Sequence, residues 1–565
     1  MPSLAVRLTL LLLTLTAIPA AAQQARWWSP VVARQAMVVS ANREATEAGV
    51  DIMRRGGTAV DAAIAVHFAL AVTLPNAGNL GGGGFLVLRQ ADGTVKTYDY
   101  RERAPLAATS DMYLDANGAV IEDLSLIGGK AAGIPGSVAG MALVHARHAT
   151  LPWAELIAPA IRLAEAGFPI NLTLAGNIAS YQSSLSRFPA SAAIFLPGGS
   201  PPVMGDTLRQ TALARSLRLI AEQGPDVFYR GELADSLVAG ANRYGGIFTR
   251  EDFAAYEAHE RPPVTFDYRG WTIHSMGPAS SGGLTMKLIL EQLETFDLAA
   301  YPFHSAAAVH RITEAMRRAF AVRNAHFGDT DFITLPDTLR TEGFARLLAA
   351  TIDTLRATPS AALPSGFTDG HEGIHTTHFS VVDPQGNAVA STTTLNDLFG
   401  SRVSAAGILL NDEMDDFTVK PGVPNTYGLV QGEANRIEPG KRPLSAMTPT
   451  IVERGGLLRF VVGTPGGSTI ISTVAQVLIN ALDYDMTIAE AIDARRLHHQ
   501  HLPDVLRVEP FGLSDDTVQI LKAQGHTVEF RDEYSGRVNG IEVGPETGWR
   551  YGRSDLRGGG WAAGY

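Results

Sequence analysis

The spacing of hydrophobic residues changes along the chain from a helical period to an alternating, strand-like one. In the first hundred residues, apolar residues at helical spacing predict two helices, and two short strand-like runs around a turn at 91–93 predict a hairpin. The second helix is apolar nearly all round, which predicts burial, and Thr58-x-x-Asp61 resembles a capping box at its start. The predicted helices are 41–55 and 59–72, and the predicted strands are 85–89 and 95–100.

Residues 150–350 have a mainly helical pattern, with strand signals around 263–275. Residues 357–373 are rich in Pro, Ser, Gly and Thr, which predicts an exposed linker. The pattern after the linker predicts an α+β arrangement with two layers of strands and helices on the outside. The predicted strands here are 376–383, 388–395, 458–463, 506–509 and 526–530, and the predicted helices are 469–482 and one capped by Thr487.

The N-terminus has the pattern of a signal peptide. Residues 8–18 form an apolar run that is too short to span a bilayer, and three alanines at 20–22 follow it. We therefore expect residues 1–22 to be removed and the mature chain to begin at Gln23. A membrane anchor is the alternative, but no charged stop-transfer flank follows the run. We expect a periplasmic or secreted protein without a membrane anchor.

Composition excludes several classes of function. The net charge of −11 argues against nucleic acid as a main partner, because phosphate binding needs clustered Lys and Arg. The chain of 565 residues has no cysteine, which removes disulfides, thiolate metal sites and cysteine nucleophiles.

Three motifs suggest other chemistry, and each has a plainer interpretation. His371 and His375 fit the H-E-x-x-H zinc-peptidase motif, but two glycines and a following strand predict a loop rather than the required helix. The histidines in 497–501 could hold a metal, yet no carboxylate pair with ligand spacing accompanies them, which favours a structural cluster. The four glycines at 81–84 lack the Lys-Ser/Thr of a phosphate loop and favour close backbone packing beside a site.

Thr376 stands where the predicted linker meets a predicted strand. A threonine hydroxyl is a poor nucleophile without an adjacent base. If the chain is cut just before Thr376, the new α-amine can serve as that base, because its ordinary pKa is near ~7.7–8.0. Many threonines begin strands, so the position alone is weak evidence.

Ordered motifs stand around Thr376 and in both halves of the chain. They lie at 56–63, 78–85, 101–105, 135–140, 280–283, 376–383, 386–390, 394–396, 407–411, 414–417, 441–445, 447–450 and 465–468. Together these motifs resemble the γ-glutamyltransferase (γ-glutamyl transpeptidase) family, and the resemblance covers nearly all of the mature chain.

The resemblance implies an N-terminal nucleophile hydrolase with a four-layer αββα sandwich, made as a precursor that cleaves itself between His375 and Thr376. A large subunit of residues 23–375 and a small, catalytic subunit of residues 376–565 would then form a heterodimer. The resemblance makes Thr376 the nucleophile for processing and for turnover, and Thr394 its hydrogen-bonding partner. It implies no cofactor and no metal.

The resemblance also assigns a substrate pocket. Arg101 would bind the α-carboxylate of a γ-glutamyl group with help from Ser445. The family's acceptors of the α-ammonium match Asn396, Glu413 and Asp416. The matching oxyanion hole is the backbone N–H pair of Gly466 and Gly467, and residues 424–435, which include Tyr427, match a lid. One position departs from the family, because its usual second serine is here Ala446.

The implied function is γ-glutamyl transfer from glutathione-like amides to water or to an amino acid or peptide amine, through an ester on Thr376. One alternative is an acylase of the same fold that cleaves glutaryl amides, although Asp416, as an unpaired buried carboxylate, would oppose a substrate without an ammonium. A zinc peptidase built on His371 and His375, and a non-enzymatic binding protein, are further alternatives.

Overall fold

Two antiparallel sheets lie face to face at the centre of the computed structural model, which describes residues 29–363, 376–423, 425–426, 428–429, 431–532 and 534–565. Within these residues each sheet has seven strands. The first sheet has the order β1 (Val31–Ala33), β20 (Arg550–Ser554), β19 (Asn539–Val543), β15 (Leu457–Gly463), β14 (Thr450–Arg454), β9 (Trp271–Ser275) and β8 (Val264–Tyr268). The second has the order β21 (Trp561–Gly564), β2 (Met37–Ser40), β10 (Thr376–Val382), β11 (Ala388–Thr394), β3 (Gly83–Arg89), β4 (Val95–Tyr100) and β7 (His259–Arg261).

In the described part of the chain, helices and three small sheets surround this pair. The small sheets are formed by β5 (Phe168–Pro169) with β6 (Thr207–Leu208), β12 (Ser404–Ala405) with β13 (Ile408–Leu409), and β16 (Leu497–His498), β17 (Leu506–Val508) and β18 (Val528–Phe530). The α-helices are α1 (Arg43–Arg54), α2 (Ala59–Thr73), α3 (Ser137–His148), α4 (Trp153–Ala166), α5 (Leu172–Ser180), α6 (Gln182–Ser186), α7 (Pro189–Phe195), α8 (Thr211–Gln223), α9 (Asp226–Tyr229), α10 (Glu232–Arg243), α11 (Arg250–Ala254), α12 (Gly282–Leu293), α13 (Ala306–His326), α14 (Glu342–Ala349), α15 (Thr469–Leu482), α16 (Ile488–Asp493) and α17 (Asp515–Ala523).

The helices cover the outer faces of both sheets, so the core has four layers in the order αββα. Helices α1–α3 contact the second sheet, and α12, α15 and α16 contact the first. Alternate side chains of the two inner faces, including Val39, Ala390 and Val461, form an apolar cluster between the sheets. This arrangement confirms the predicted α+β sandwich.

Helix α2 shows how local sequence fixes one of these layers. Thr58 and Asp61 form the predicted capping box, and every residue from Ala59 to Thr73 is buried. Asp61 also accepts the backbone N–H groups of Thr150 and Leu151, which ties the helix start to the next layer. Although α2 is highly apolar, no helix among the described residues has both the length and the apolar character needed to cross a membrane.

The predicted elements agree with the structure to within a few residues, but the predicted linker is partly wrong. Ser360 is buried, its N–H donates to Asp504, and its hydroxyl accepts from Arg317. The N–H of Thr358 donates to Glu314. This first part of the segment is therefore anchored at Thr358 and Ser360, although Pro359, Ala361 and Ala362 are exposed as predicted. Residues 364–373 lie outside the described residues.

The glycines at 81–84 allow the close packing that the sequence predicted. A Cβ atom at Gly82 would come within 2.1 Å of the carbonyl oxygen of Thr394, and one at Gly84 within 2.3 Å of the carbonyl oxygen of Thr392. These contacts involve backbone, which cannot move aside easily. Glycine is therefore needed where β3 pairs with β11.

We expect Gly84→Ala to lower the free energy of unfolding by about 1–3 kcal/mol, because strand β11 must shift to admit the methyl group. Gly176→Ala is the matched control, because Gly176 lies exposed in α5 with open space around its Cα. The control should be neutral or more stable by up to about 1 kcal/mol. Chemical denaturation of both variants measures the difference, and equal stabilities would contradict this account of the packing.

Candidate active site

Thr376 begins strand β10 and lies directly opposite Thr394, the last residue of β11. Because the two residues are paired across antiparallel strands, their side chains lie on the same face. Their hydroxyl oxygens are 3.4 Å apart. The structure thus brings the predicted nucleophile beside its predicted partner, where the start of β10 meets the end of β11.

Thr394 is held in position from both sides. The side-chain amide of Asn79 donates to its carbonyl oxygen at 2.8 Å. The backbone N–H of Asn396 donates to its hydroxyl oxygen at 2.9 Å, in a turn where Asn396 has a φ of 76°. With its oxygen accepting from Asn396, the hydroxyl of Thr394 is oriented relative to Thr376.

Arg101 follows strand β4 and is fully buried. Its guanidinium pairs with Glu413 and Asp416, which lie in the 3-10 turn Glu413–Asp416, and its Nε donates to the carbonyl oxygen of Pro443 at 3.1 Å. A third carboxylate, Glu102, is 3.4 Å from the same guanidinium. Arg101 is therefore paired within the protein by the residues predicted to bind the substrate's ammonium.

Burial sets the charge state of this group of acids. It raises the pKa of Glu102 to about 7, against the opposing effect of Arg101. It also raises the pKa of Glu413 and of Asp416, again against Arg101. Burial alone would lower the pKa of Arg101, but Glu413 and Asp416 raise it. The arginine therefore stays charged, while burial favours the protonated form of each acid.

The turn before α15 supplies the other predicted groups. Gly466 and Gly467 have φ values of 143° and 54°, and a Cβ atom at Gly466 would come within 2.5 Å of the hydroxyl of Thr469. Ser445 is buried, and its hydroxyl accepts the N–H of Met447 at 3.1 Å. Among the described residues none accepts the hydrogen of that hydroxyl, so it can be donated to a ligand.

One cavity collects these residues. Its lining includes every described residue predicted for the site except Gly466, which directly precedes the lining residue Gly467. Tyr427 lies outside the described residues. The lining consists of Arg101, Arg323, Thr376, Thr394, Asn396, Glu413, Asp416, Leu429, Leu444, Ser445, Ala446, Met447, Gly467, Ser468 and Ile470.

Comparison with known proteins decides the family. The sequence model of gamma-glutamyltranspeptidase matches residues 45–565. The chain belongs to the γ-glutamyltranspeptidase family. It is 48% identical to a glutathione hydrolase proenzyme of Escherichia coli strain K12 over 94% of this chain and 91% of that protein.

Solved structures agree with this family and its fold. A cephalosporin acylase from Bacillus halodurans superposes with a TM-score of 0.83 at 26% identity, over 95% of this chain and 97% of that one. The γ-glutamyltranspeptidase of Helicobacter pylori superposes with a TM-score of 0.57 at 40% identity, over 59% of this chain and 96% of that one. These relatives confirm the N-terminal nucleophile hydrolase fold.

Sequence reasoning missed three residues that shape this γ-glutamyltranspeptidase site. Arg323 in α13 lines the cavity, burial lowers its pKa to about 10, and its Nε donates to Ser281. The amide of Asn411 donates to the carbonyl oxygens of Gly81 and Gly133, which fixes the turn before Glu413. Asn79 holds Thr394. Both asparagines lie in motifs of the family resemblance, whereas Arg323 had no such signal.

The histidines at 498–501 are a structural cluster, as the sequence favoured. His498 bonds Ser472 and Gln500, and His499 bonds Asp504 at 3.2 Å. The Nε2 of His501 lies 3.0 Å from the carbonyl oxygen of Ser360. Among the described residues, no group of His, Asp and Glu has an arrangement that could hold a metal ion. His371 and His375 lie outside the part of the chain that the structure describes.

The raised pKa of Glu102 predicts a pH dependence of stability. Between about pH 4.5, its ordinary pKa, and about pH 7, the folded protein binds more protons at Glu102 than the unfolded chain does. The contribution of this group to stability is therefore present at low pH and is lost as the pH rises through 7.

We expect Glu102→Gln, which cannot titrate, to show a smaller fall in the free energy of unfolding between pH 5 and pH 7 than the wild type. Glu222→Gln, which changes an exposed acid on α8, is the control. Denaturant unfolding at several pH values measures this, and identical pH profiles for wild type and Glu102→Gln would contradict it.

Proposed function

We propose that this chain is a glutathione hydrolase-type γ-glutamyltransferase that acts through an acyl ester on Thr376. One observation carries the proposal: a single cavity holds the paired hydroxyls of Thr376 and Thr394 together with buried Arg101 and two carboxylates. The 48% identity to a glutathione hydrolase proenzyme over most of both chains supports the same activity.

The reaction follows from these groups. The Oγ of Thr376 attacks the γ-carbonyl carbon, and its proton passes to the α-amine that processing would create. The N–H groups of Gly466 and Gly467 stabilise the developing oxyanion. The C–N bond then breaks, the amine leaves with a proton, and the γ-glutamyl group remains as an ester. Water or a second amine attacks the ester, and the proton returns to the Oγ of Thr376.

Charge explains why the acyl group should be γ-glutamyl. Arg101 offers a planar fork that suits a carboxylate, and Glu413 and Asp416 suit an ammonium. In the structure these groups satisfy each other. A zwitterionic substrate can replace that internal pairing without changing the net charge of the cluster, because it brings one charge of each sign.

The glutaryl acylase alternative fits less well. An acylase proenzyme of Pseudomonas sp. strain V22 is 35% identical to this chain, against 48% for the glutathione hydrolase of E. coli. Asp416 is not the unpaired carboxylate that the sequence suggested, however, because it is bound to Arg101. The sharper objection is that a glutaryl group adds a negative charge to a cluster that already holds Glu102, Glu413 and Asp416.

Processing into two subunits is supported by the relatives. The matched E. coli protein is a proenzyme. The chain in the H. pylori structure aligns over 96% of its own length but covers only 59% of this chain. We propose cleavage between His375 and Thr376, which gives subunits 23–375 and 376–565. We also propose that residues 1–22 direct export to the periplasm or the exterior. N-terminal sequencing of exported protein should give Gln23 and Thr376.

The direct test of function is product analysis with glutathione, with and without a dipeptide acceptor. Release of glutamate without the acceptor, and of a γ-glutamyl dipeptide with it, is the expected result. Absence of both products from processed protein would contradict the proposal.

We expect Thr376→Ala to remain a single polypeptide and to lack activity, because the variant has no hydroxyl to attack the preceding carbonyl. Thr377→Ala is the matched control, since Thr377 lies on the opposite face of β10. The control should still split into two chains on a denaturing gel. A Thr376→Ala protein that splits at this bond would show that another group performs the cleavage.

Asp416→Asn should reduce kcat/KM for γ-glutamyl anilides at least tenfold more than for glutaryl anilides, because only the former carry the ammonium. Asp415→Asn is the control. Its carboxylate accepts from Ser125 and Thr426 and does not line the cavity. Equal losses on both substrates in Asp416→Asn would mean that Asp416 is structural.

Ala446→Ser should lower KM for a γ-glutamyl amide by about tenfold to a hundredfold, with kcat nearly unchanged. Ala446 lines the cavity beside Ser445. A hydrogen bond to a charged group contributes about 1.5–3 kcal/mol, and a contact equal in ground and transition states changes KM alone. Steady-state kinetics checks this. An unchanged or higher KM would remove position 446 from the carboxylate site.

A further inference from the structure

One buried arginine in the active-site cavity has no acid as its partner. Arg101 is paired with Glu413 and Asp416, whereas no described carboxylate lies within ion-pair distance of Arg323. We propose that Arg323 is a second binding residue for the α-carboxylate of the γ-glutamyl group, and that it supplies the donor that Ala446 lacks. This inference rests on the proposed γ-glutamyl transfer and concerns how the same cavity selects its acyl group.

Two of the three guanidinium nitrogens of Arg323 are held by neighbouring side chains. Its Nε donates to the hydroxyl of Ser281 at 2.9 Å, and its Nη1 donates to the side-chain oxygen of Asn324 at 2.9 Å. Both acceptors are neutral, so they orient the guanidinium without neutralising its charge. The group is therefore fixed in direction and keeps its positive charge for another partner.

The third nitrogen, Nη2, is available to a ligand. It donates to no described residue. It retains accessible surface, although Arg323 as a whole is only 1% exposed. Because Arg323 lines the cavity, that surface opens on the space that the substrate would enter. A buried charged donor without an acceptor is costly, and a bound anion would satisfy it.

Arg101 and Arg323 flank the segment that is predicted to bind the α-carboxylate. The Nε of Arg101 donates to the carbonyl oxygen of Pro443 at 3.1 Å. Ser281, which accepts from Arg323, donates to the carbonyl oxygen of Ser445 through its hydroxyl at 2.6 Å and its N–H at 2.8 Å. Pro443 and Ser445 are two residues apart, which spans at most about 7 Å. A carboxylate bound at Ser445 would therefore lie between the two guanidinium groups.

The charges in the cavity favour an anion at Arg323. Among the described lining residues, the charged ones are Arg101, Arg323, Glu413 and Asp416. When the ammonium of a zwitterionic substrate occupies the two acids, its carboxylate faces both arginines. Burial lowers the pKa of Arg323 to about 10, against the opposing effect of Asp416, so the side chain is still charged at neutral pH.

Position 446 gives the second arginine a specific task. The serine that is usual in the family would donate a hydroxyl hydrogen to the α-carboxylate, whereas Ala446 has no donor. Ala446 and Arg323 line the same cavity, so the Nη2 of Arg323 can take the place of that hydroxyl. Its contact with the carboxylate should affect selection of the acyl group, because the carboxylate takes no part in the bond changes at Thr376.

The test uses three anilide donors that differ in the charges of the acyl group. The γ-glutamyl group carries both charges, glutaryl carries the carboxylate alone, and γ-aminobutyryl carries the ammonium alone. In processed enzyme, Arg323→Gln should lower the ratio of kcat/KM for γ-glutamyl to that for γ-aminobutyryl by about tenfold to a hundredfold, because only the former has the carboxylate. The ratio of γ-glutamyl to glutaryl should be unchanged. Each ratio is measured on one protein sample, so the amount of folded enzyme cancels.

Arg311→Gln is the matched control. Arg311 is also a buried arginine of α13, but it donates to the carbonyl oxygen of Ala307, lies over the rings of Phe296 and Tyr301, and does not line the cavity. Both ratios should be unchanged in this variant. Asp416→Asn should instead lower the ratio of γ-glutamyl to glutaryl, because its carboxylate is assigned to the ammonium.

A second measurement tests whether Arg323 and position 446 act on the same carboxylate. Ala446→Ser is introduced into the wild type and into Arg323→Gln, and KM for the γ-glutamyl anilide is measured in both. If both side chains donate to one carboxylate, the decrease in KM should be larger in Arg323→Gln by about threefold or more, because the serine then replaces a missing donor. Equal decreases in the two backgrounds would contradict the proposal.

The outcomes separate this inference from the proposed function. An enzyme that neither hydrolyses nor transfers γ-glutamyl groups would overturn the proposed function. An active enzyme in which Arg323→Gln leaves the ratio of γ-glutamyl to γ-aminobutyryl unchanged would overturn this inference alone. A fall in the ratio of γ-glutamyl to glutaryl instead would also overturn it, because Arg323 would then act on the ammonium through Asp416.

Discussion

The buried charge of Arg101 is the constraint on which the rest of the site depends. A guanidinium without access to water must be neutralised within the protein, and removing one partner of such a pair costs roughly 3–5 kcal/mol. Glu413 and Asp416 provide that neutralisation from a distant part of the chain. The pairing holds the end of β4 against the 3-10 turn, and it also creates the complementary charges that a zwitterion can use.

The second sheet explains how this charge comes to lie beside the nucleophile. Strands β10, β11, β3 and β4 are neighbours and antiparallel. Four strand ends therefore lie side by side at the same end of the sheet. They are the start of β10, the end of β11, the start of β3 and the end of β4. Thr376, Thr394 and Arg101 occupy three of these ends, and the close-packed glycines occupy the fourth. Register thus brings Thr376, Thr394 and Arg101 to one cavity, and the pairing with Glu413 and Asp416 fixes the guanidinium there.

Local sequence was enough to predict most elements of the fold. Helix α2 has its capping box at the predicted residues, and α15 has the predicted bounds, because caps and apolar spacing act within a few residues. The site was different. The local pattern at Thr376 gave only a weak signal, and its partners became predictable only through ordered family motifs. The site residues are distant in the chain, and Arg101 and Asp416, for example, are 315 residues apart.

Several features could not be predicted because they depend on tertiary contacts. Arg323 is one of several arginines in α13, and nothing in its neighbours marks it as the one beside the cavity. Ser360 lies in a segment with the composition of a linker, yet Arg317 and Asp504 anchor it. The pairing of Asp416 with Arg101 was also missed, because the sequence shows both residues but not that each is the other's partner.

The central claim is that a γ-glutamyl group enters this site by replacing the internal pairing of Arg101. A crystal structure of the processed enzyme with bound L-glutamate tests it most directly. The account predicts the α-carboxylate on the guanidinium of Arg101 and the α-ammonium between Glu413 and Asp416, with the γ-carboxyl group beside Thr376. Glutamate bound elsewhere, or an Arg101 still paired only with Glu413 and Asp416, would contradict it.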